Sequence, residues 1–313
     1  MRLLVVGAGA SYAECKARGL PEDRCLPMMK NLARKLWADF NPTPFLEIFL
    51  EEQGHDVRGR DPVELFYKLE EAKPGLIEEF FASAWQQRDR VHTVYGRRWD
   101  DLIYHGLLRP LNFILITGLL DGNPESRFPL SEKVAAQLMT GDLVLNLNYD
   151  LIFDVALKNV GRNVVYSPHA RPNDGIWAFK PHGSFHLAVN EKEARFYFGQ
   201  VEFIGDIQPS DGATTFSAFV PPRKAKSLDQ HPVSRMIIRP LLGFAPDVVT
   251  FWGVGSPESD VDLLDMFRGL CAGARSVEFV NPSASDAKKM ERHLTRSVAH
   301  YQDVPTWLST PHH

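Results

Sequence analysis

The chain has 313 residues, of which 44% are hydrophobic, and this is enough to bury the core of one large domain or two modest ones. Charged residues make up 24% and the formal net charge is −4, so the chain has no overall positive field to hold nucleic acid. The best candidate for a membrane span, residues 111–120, has about half of the roughly 20 apolar residues that a span requires. These features predict a soluble, cytoplasmic protein that binds neither nucleic acid nor membrane directly.

The cysteines are few and odd in number, which favours reduced thiols in the cytosol. Cys15, Cys25 and Cys271 include no pair with the two-residue spacing of a zinc knuckle, so we expect no metal site. The apolar start of the chain is short and leads into a glycine turn, unlike a secretory signal.

The first predicted element is a strand over residues 3–6, a short, apolar and β-branched run of the kind found in central parallel strands. A turn of small residues follows it and leads into a helix: Gly7, Ala8, Gly9, Ala10 and Ser11. Backbone N–H groups in such a turn can approach a pyrophosphate at the helix N-terminus. The alternative interpretation is a tight strand-to-helix turn without a ligand.

Most of the next hundred residues are predicted to be helical, because apolar residues recur there at helical spacing. Asp61 followed by Pro62 is typical of a helix start. A crossover between parallel strands needs only a dozen or so residues, so we expect residues 28–130 to be a helical insertion within a single catalytic domain of residues 1–313. The predicted helices span residues 31–40, 44–52, 62–71, 76–87 and 104–120.

The remainder of the chain alternates between strand-like and helix-like segments. Together with the first strand, this pattern predicts an α/β fold with a Rossmann-like, mostly parallel sheet and a large helical insertion. Residues 209–232 are rich in Pro, Ser, Asp and Thr and are predicted to be a mobile loop. Strands are predicted at residues 143–147, 164–166, 177–179, 248–252 and 277–280, and helices at residues 131–139 (capped by Ser131), 151–158, 262–270 and 287–301.

Polar residues follow several of these strands, where open α/β sheets bind ligands. Asn148 and Asp150 come directly after residues 143–147 and offer an amide and a carboxylate. Asp150 can alternatively cap the helix that follows it. His182 comes after residues 177–179 and precedes a glycine, and we prefer it over His186 as a proton acceptor or donor.

Two later strands end in a similar way. Gly253, Gly255 and Ser256 form a turn in which the backbone can approach a phosphate or ribose closely. Asn281 ends the strand over residues 277–280 and can contact a sugar or a base edge, or alternatively serve as a turn residue before a proline.

The order of these motifs resembles the sirtuin superfamily, whose members share a GAG-x-S turn, an N-x-D strand end, an HG pair and a late G-x-S turn followed by a strand ending in Asn. Here the motifs are residues 7–11, Asn148 to Asp150, His182 with Gly183, Gly253 to Gly255, and Asn281, so that they bracket nearly the whole chain.

Within that superfamily the chain is most similar to a bacterial sirtuin-like branch with Asn-Tyr-Asp at the second motif, which contains NAD hydrolases of antiphage defence. The zinc-binding cysteine pairs and the Gly-Ile-Pro-Asp-Phe-Arg motif of the deacetylases are absent, and Leu147 replaces their glutamine. Pro257, Glu258 and Asp260 match the Pro-Glu-x-Asp continuation of the branch. The late serine of G-x-S is Gly255 here, which affects a side-chain contact rather than the backbone contacts.

The resemblance implies an NAD+ glycohydrolase that cleaves the bond between nicotinamide and ribose through an oxocarbenium-like transition state. NAD would be the substrate, and no metal would take part. Asn148 would orient the ribose or the attacking water, Asp150 would contact the carboxamide or ribose, and His182 would act as the base. The turns at residues 7–11 and 253–256 would hold the pyrophosphate and the adenosine ribose, and Asn281 the adenosine end.

Three other functions stay open: an NAD-dependent protein deacylase, an NAD- or ADP-ribose-sensing regulatory subunit, and a dehydrogenase. The missing zinc module argues against the deacylase, the intact Asn148, Asp150 and His182 against the sensor, and the incomplete glycine fingerprint against the dehydrogenase. Little sequence follows the last motif, so we expect control by homo-oligomerisation or by a separate activating or sensor protein.

Overall fold

The computed structural model describes residues 1–21, 25, 33–34, 37, 42–73, 75–87, 127–168, 174–190, 195–198, 216–219, 232–255 and 261–310. The chain divides into two compact units, one of residues 1–25, 123–220 and 226–313, and the other of residues 26–122 and 221–225. The expected insertion of residues 28–130 into one catalytic domain stays a prediction.

The first unit is built on a seven-stranded sheet in which every neighbouring pair is parallel. Its strands are β1 (Arg2–Val6), β2 (Leu143–Asn146), β3 (Val164–Tyr166), β4 (Ile176–Phe179), β8 (Val248–Trp252), β9 (Ser276–Val280) and β10 (Ala299–Tyr301). Their order across the sheet is β10-β9-β8-β1-β2-β4-β3, so later strands lie on both sides of β1. This confirms the Rossmann-like parallel sheet and all six of the strands that the sequence predicts in it.

Helices cover both faces of this sheet. On one face Leu3, Val5 and Phe251 belong to a buried cluster with side chains of α7 (Pro232–Ile238), α8 (Val261–Ala272) and α9 (Ala284–Leu294). Alternate residues of a strand point to opposite faces, and on the other face Trp252 meets Phe153 of α6 (Ile152–Asn159) edge to face, with ring centroids 6.0 Å apart. Burial on both faces explains why these strands read as continuous apolar runs.

A second sheet was not predicted. Three antiparallel strands form it in the order β6-β5-β7, with β5 (Gly183–Asn190) in the centre, flanked by β6 (Arg195–Phe198) and β7 (Phe216–Phe219). Leu187 and Val189 of β5 join the same buried cluster as the large sheet. The prediction of a mobile loop over residues 209–232 is therefore wrong at β7, where Phe216 pairs with Val189.

The helix predicted from Ser131 begins earlier, as α5 (Pro129–Ala135), and Ser131 does not cap it. Instead Glu14, a buried residue of α1 (Ala8–Ala17), accepts hydrogen bonds from the backbone N–H of Ser131 at 2.6 Å and from its hydroxyl at 2.7 Å. A carboxylate at the positive end of a helix is favourable. Burial nevertheless raises the pKa of Glu14, and the hydrogen bonds and nearby Arg18 only partly offset this.

The end of the chain also differs from the prediction of one helix over residues 287–301. Helix α9 ends at Leu294, strand β10 follows, and α10 (Val304–Ser309) closes the described chain. Trp307 of α10 is 1% exposed, and its indole N–H donates to the carboxylate of Glu278 at 3.0 Å. The hydroxyl of Thr250 donates to the same oxygen at 2.6 Å, so this buried carboxylate anchors α10 to β8 and β9.

The described part of the second unit is helical, as predicted for residues 44–52, 62–71 and 76–87. Its helices are α2 (Thr43–Glu52), α3 (Pro62–Ala72) and α4 (Leu76–Gln87). Asp61 caps α3 by accepting a hydrogen bond from the N–H of Val63 at 2.9 Å. Aromatic side chains fill the core of this unit: for example, Phe49 and Phe80 meet edge to face at 5.3 Å. The helix predicted over residues 104–120 lies outside the described residues, and so does most of the one over residues 31–40.

In the described stretches of the chain, no helix is long and apolar enough to cross a membrane.

Candidate functional site

The candidate site lies at the carboxyl ends of β1, β2 and β8. Strands β2 and β8 flank β1 on opposite sides, so the direction in which the chain builds the sheet changes at β1. Ligands of open α/β sheets bind at such a switch point, outside the carboxyl ends of the strands. Gly7 follows β1, Asn148 follows β2 and Gly253 follows β8, so the sheet brings three of the predicted motifs together.

The glycines of two motifs contact each other directly. A Cβ atom on Gly7 would lie 2.6 Å from the carbonyl oxygen of Gly253, and one on Gly9 would lie 2.8 Å from it. A Cβ on Gly253, whose φ is 63°, would overlap the backbone at Ala10. Side chains are therefore excluded at these glycines by the packing of the two turns, whether or not a ligand is bound.

In the same packing, some of the backbone N–H groups that were expected to bind phosphate already donate within the fold. The N–H of Gly9 donates to the carbonyl of Gly253 at 2.9 Å, and the N–H of Ala10 donates to the carbonyl of Gly7 at 2.9 Å. Ala8 is the first residue of α1, and the first N–H groups of a helix have no acceptor within it. Among the predicted positions, Ala8 is thus the one best placed to offer an amide to a phosphate at this helix N-terminus.

Asn148, Ser11 and Asp150 form one hydrogen-bonded chain. The side-chain amide of Asn148 donates to the carbonyl of Gly7 and to the hydroxyl of Ser11, both at 3.0 Å. The hydroxyl of Ser11 in turn donates to the Asp150 carboxylate at 2.7 Å. Because a carbonyl can only accept, the nitrogen of Asn148 faces Gly7, and its Oδ1 is the polar atom that remains for a ligand.

Both oxygens of the Asp150 carboxylate accept hydrogen bonds within the fold, and its contact with a ligand stays a prediction. One carboxylate oxygen accepts from Ser11, and the other accepts from the N–H of Ile152 at 3.1 Å, close to the start of α6. Burial raises the pKa of Asp150, and the Lys180 charge and these hydrogen bonds only partly offset the rise. A carboxylate in this environment gains stability from positive charge placed nearby.

His182 is 6% exposed and is held against the strand end that carries Asn148. Its Nδ1 lies 3.0 Å from the carbonyl oxygen of Leu147. A carbonyl only accepts, so Nδ1 bears the ring proton, and in the neutral ring Nε2 is the nitrogen that can take up a proton. This is the tautomer that a general base requires.

Beneath these residues lies a buried ionic network that the sequence reasoning missed. Lys180 is 1% exposed and Asp154 is 3% exposed, and Nζ of Lys180 lies 3.0 Å from the Asp154 carboxylate. Tyr166 donates its hydroxyl to Asp154 at 2.7 Å, and the amide of Asn146 donates to it at 3.2 Å. Burial alone would raise the pKa of Asp154, but Lys180 and the hydrogen bonds outweigh burial and hold that pKa below its usual value.

The sequence does contain a signal for this network. Asp154 interrupts the apolar run Ile152, Phe153, Val155, Ala156 and Leu157, all of which are buried in α6. A carboxylate surrounded by apolar residues in a short helix requires a buried partner. Lys180 directly follows the fully buried strand β4 and is that partner.

His186 lies beside this network and is a poor candidate for the base. Its Nδ1 lies 3.0 Å from the hydroxyl of Ser184, which itself donates to the carbonyl of Tyr149 at 3.1 Å. Burial lowers the pKa of His186 to about 4, against the attraction of Asp154. The preference for His182 over His186 is consistent with this geometry.

Asn281 uses both ends of its amide within the fold. The nitrogen donates to the carbonyl of Val254 at 3.0 Å, and the oxygen accepts from the N–H of Ser283 at 2.8 Å. The residue thus stabilises the turn after β8 and the start of α9, and its contact with an adenosine stays a prediction. No atom of the described residues lies within 4 Å of a Cβ built on Gly255, and Ser256 lies outside those residues.

Within the described part of the chain, no group of three or more His, Cys, Asp or Glu side chains is placed to hold a metal ion.

Comparison with known proteins finds similarity among solved structures. No protein-family model matches the chain, and no curated protein matches it. Among solved structures, the crystal structure of a Sir2 homolog–NAD complex is similar, at 12% sequence identity and a TM-score of 0.40, and the match covers 98% of this chain and 86% of that one. The fold assignment rests on the parallel sheet of this chain and its strand order.

Proposed function

We propose that this protein is an NAD+ glycohydrolase that uses water to release nicotinamide and ADP-ribose. The observation that carries the proposal is the hydrogen-bonded chain of Asn148, Ser11 and Asp150 at the switch point of the sheet. His182 lies beside it, with Nδ1 3.0 Å from the carbonyl oxygen of Leu147. The order of the motifs, which resembles that of the sirtuin superfamily, supports NAD as the ligand.

In the proposed reaction, the bond between the ribose carbon C1′ and the nicotinamide nitrogen breaks, and its electron pair stays on nicotinamide, which leaves as a neutral molecule. The oxygen of water forms the new bond to C1′, and His182 Nε2 takes up the proton of that water. Positive charge develops on the ribose in the transition state. The buried carboxylate of Asp150 would stabilise that charge.

The other proposed contacts with NAD are assigned to groups that no hydrogen bond described above engages. Oδ1 of Asn148 would accept a hydrogen bond from the water or from a ribose hydroxyl. The amide of Ala8 and the N-terminus of α1 would hold the pyrophosphate. Gly7, Gly9 and Gly253 would act by keeping the two turns close together, and Gly255, Ser256 and Asn281 would border the adenosine half.

The resemblance further suggests depletion of NAD in defence against bacteriophage. A cell that makes such an enzyme needs it to be silent before infection, and we propose control by self-association or by a separate sensor protein.

The test is incubation of the purified protein with NAD+, with nicotinamide and ADP-ribose followed by chromatography. We expect both products from the wild type and a loss of at least about 100-fold in His182→Ala, because general bases contribute about that much or more. His55→Ala, which changes a partly exposed histidine of the helical unit, is the matched control and should retain activity.

Each other outcome points to a different function. NAD+ binding without turnover, even with co-purifying partner proteins added, would contradict the hydrolase and favour the sensor. Nicotinamide release only in the presence of an acylated peptide would favour the deacylase. Equal activity in His182→Ala and wild type would leave the hydrolase standing but remove His182 as its base.

A further inference from the structure

Side chains of the segment from Lys180 to Ser184 bind the main chain of the turn that follows β2. Three of its side chains each donate to a different carbonyl of that turn. Lys180 Nζ lies 2.7 Å from the carbonyl oxygen of Asp150, His182 Nδ1 lies 3.0 Å from that of Leu147, and Ser184 Oγ lies 3.1 Å from that of Tyr149. Together they bracket Asn148 and Asp150, and we call these three side chains the carbonyl clamp.

Two of the three clamp residues have no part in the chemistry proposed above. Ser184 is 0% exposed, and its hydroxyl donates to Tyr149 while it accepts from His186. Lys180 is also fully buried, where an ammonium is costly unless it is paired and hydrogen-bonded. Asp154 provides the paired charge, and the carbonyl of Asp150 is the second acceptor.

We propose that Lys180 and Ser184 are positioning residues, which fix Asn148 and Asp150 against the first turn of α1 by holding the carbonyls of Tyr149 and Asp150. The proposal rests on the proposed hydrolase for its effect on catalysis. The order of the turn itself is a property of the fold and is measurable without NAD.

Ser184→Ala tests the clamp with the smallest change. We expect a fall in kcat of between about 10- and 100-fold, because a misplacement of about 1 Å can cost that much, with KM for NAD changed by less than about threefold. Ser167→Ala is the matched control. Ser167 is also buried, and its hydroxyl donates to the carbonyl of Ile237 in α7 at 2.6 Å rather than to a carbonyl of the turn. Similar losses of kcat in both variants would overturn the proposal.

Lys180→Met separates positioning from charge balance, because Lys180 contacts both Asp150 and Asp154. The single variant leaves the Asp154 carboxylate buried without its ion-pair partner, so it is expected to unfold more readily. Adding Asp154→Asn removes that charge, and the melting temperature should recover while kcat does not, since the carbonyl of Asp150 still lacks its donor. Recovery of both quantities would mean that Lys180 acts only through Asp154, and would overturn its assignment.

Hydrogen–deuterium exchange of residues 147–152 in the absence of NAD completes the test. Exchange there should be faster in Ser184→Ala than in the wild type and unchanged in Ser167→Ala. If the wild type does not cleave NAD+ even with co-purifying partner proteins added, the proposed function fails, and the exchange result still decides whether the clamp orders the turn. Unchanged exchange in Ser184→Ala would overturn the clamp even in an active enzyme.

Discussion

The depressed pKa of His186 predicts a specific loss of stability in acid. Burial lowers this pKa from 6.5 to about 4, so the folded protein disfavours the charged imidazolium that forms readily in the unfolded chain. A group whose pKa is lowered by folding contributes its stability above the unfolded pKa and loses it as the pH falls toward the folded pKa. For this pair of values, the loss between about pH 7 and about pH 5 is about 2 kcal/mol.

Replacing His186 by Asn removes the titrating ring and keeps a donor near the position of Nδ1, where Ser184 accepts. Urea unfolding, followed by tryptophan fluorescence at the two pH values, gives the free energy of unfolding. The wild type should lose about 2 kcal/mol more than the variant over this interval. Asp154 and the other carboxylates titrate in both proteins, so their contributions largely cancel.

His55→Asn is the control, and its pH dependence should match that of the wild type. An identical loss of stability in acid in wild type and His186→Asn would contradict this prediction, since it would mean that His186 is already protonated in the fold or reaches solvent there.

Further changes test the packing of the site and the fold around it. Gly253→Ala should lower the free energy of unfolding by more than about 3 kcal/mol, because its Cβ would overlap the backbone at Ala10 and its φ is positive. Gly255→Ala, the control, should change the free energy of unfolding by about 0.5 kcal/mol or less. Equal effects of the two variants in urea unfolding would contradict the contact between Gly253 and Ala10. Trp307→Phe should cost about 1.5–3 kcal/mol by removing the donor to a buried carboxylate, and a change near zero would show that water replaces the indole. Asp61→Ala should lower the free energy of unfolding by about 1 kcal/mol, because α3 loses its N-terminal cap. An unchanged melting temperature would contradict this prediction.

The parallel sheet was predictable because its central strands are buried on both faces. Leu143 to Leu145 and Val248 to Phe251 read as apolar runs, and each is followed by a turn signal. The antiparallel sheet gave a weaker signal. In β5, Ser184 and His186 are polar yet fully buried, so the strand lacks the alternation of a half-exposed strand. Strand β7 lies in a stretch whose composition resembles a loop.

At the site, the predictable part was the position of the motifs rather than the use of each atom. Strand ends predict Asn148, Asp150 and His182. The fold links Asn148 to Asp150 through Ser11 and holds His182 against the carbonyl of Leu147. The sequence could not show that the amides of Gly9 and Ala10 are already bonded within the fold, because their acceptors depend on how two distant turns pack. The sequence does not identify Lys180, because a single lysine after a strand is typical of a solvent-exposed residue unless its partner, Asp154, is known.

The contact between the glycine turns also bears on when the site can form during synthesis. The N–H of Gly9 finds its acceptor on Gly253, and β1 pairs along its whole length with β8. A growing chain that has not yet reached β8 lacks one whole side of the first turn, however well the strands and helices before it have folded. Because such contacts join residues so far apart in sequence, they form late and slowly in folding. A ribosome-bound fragment would therefore have every one of the predicted catalytic side chains and still lack the turn that sets them beside a substrate.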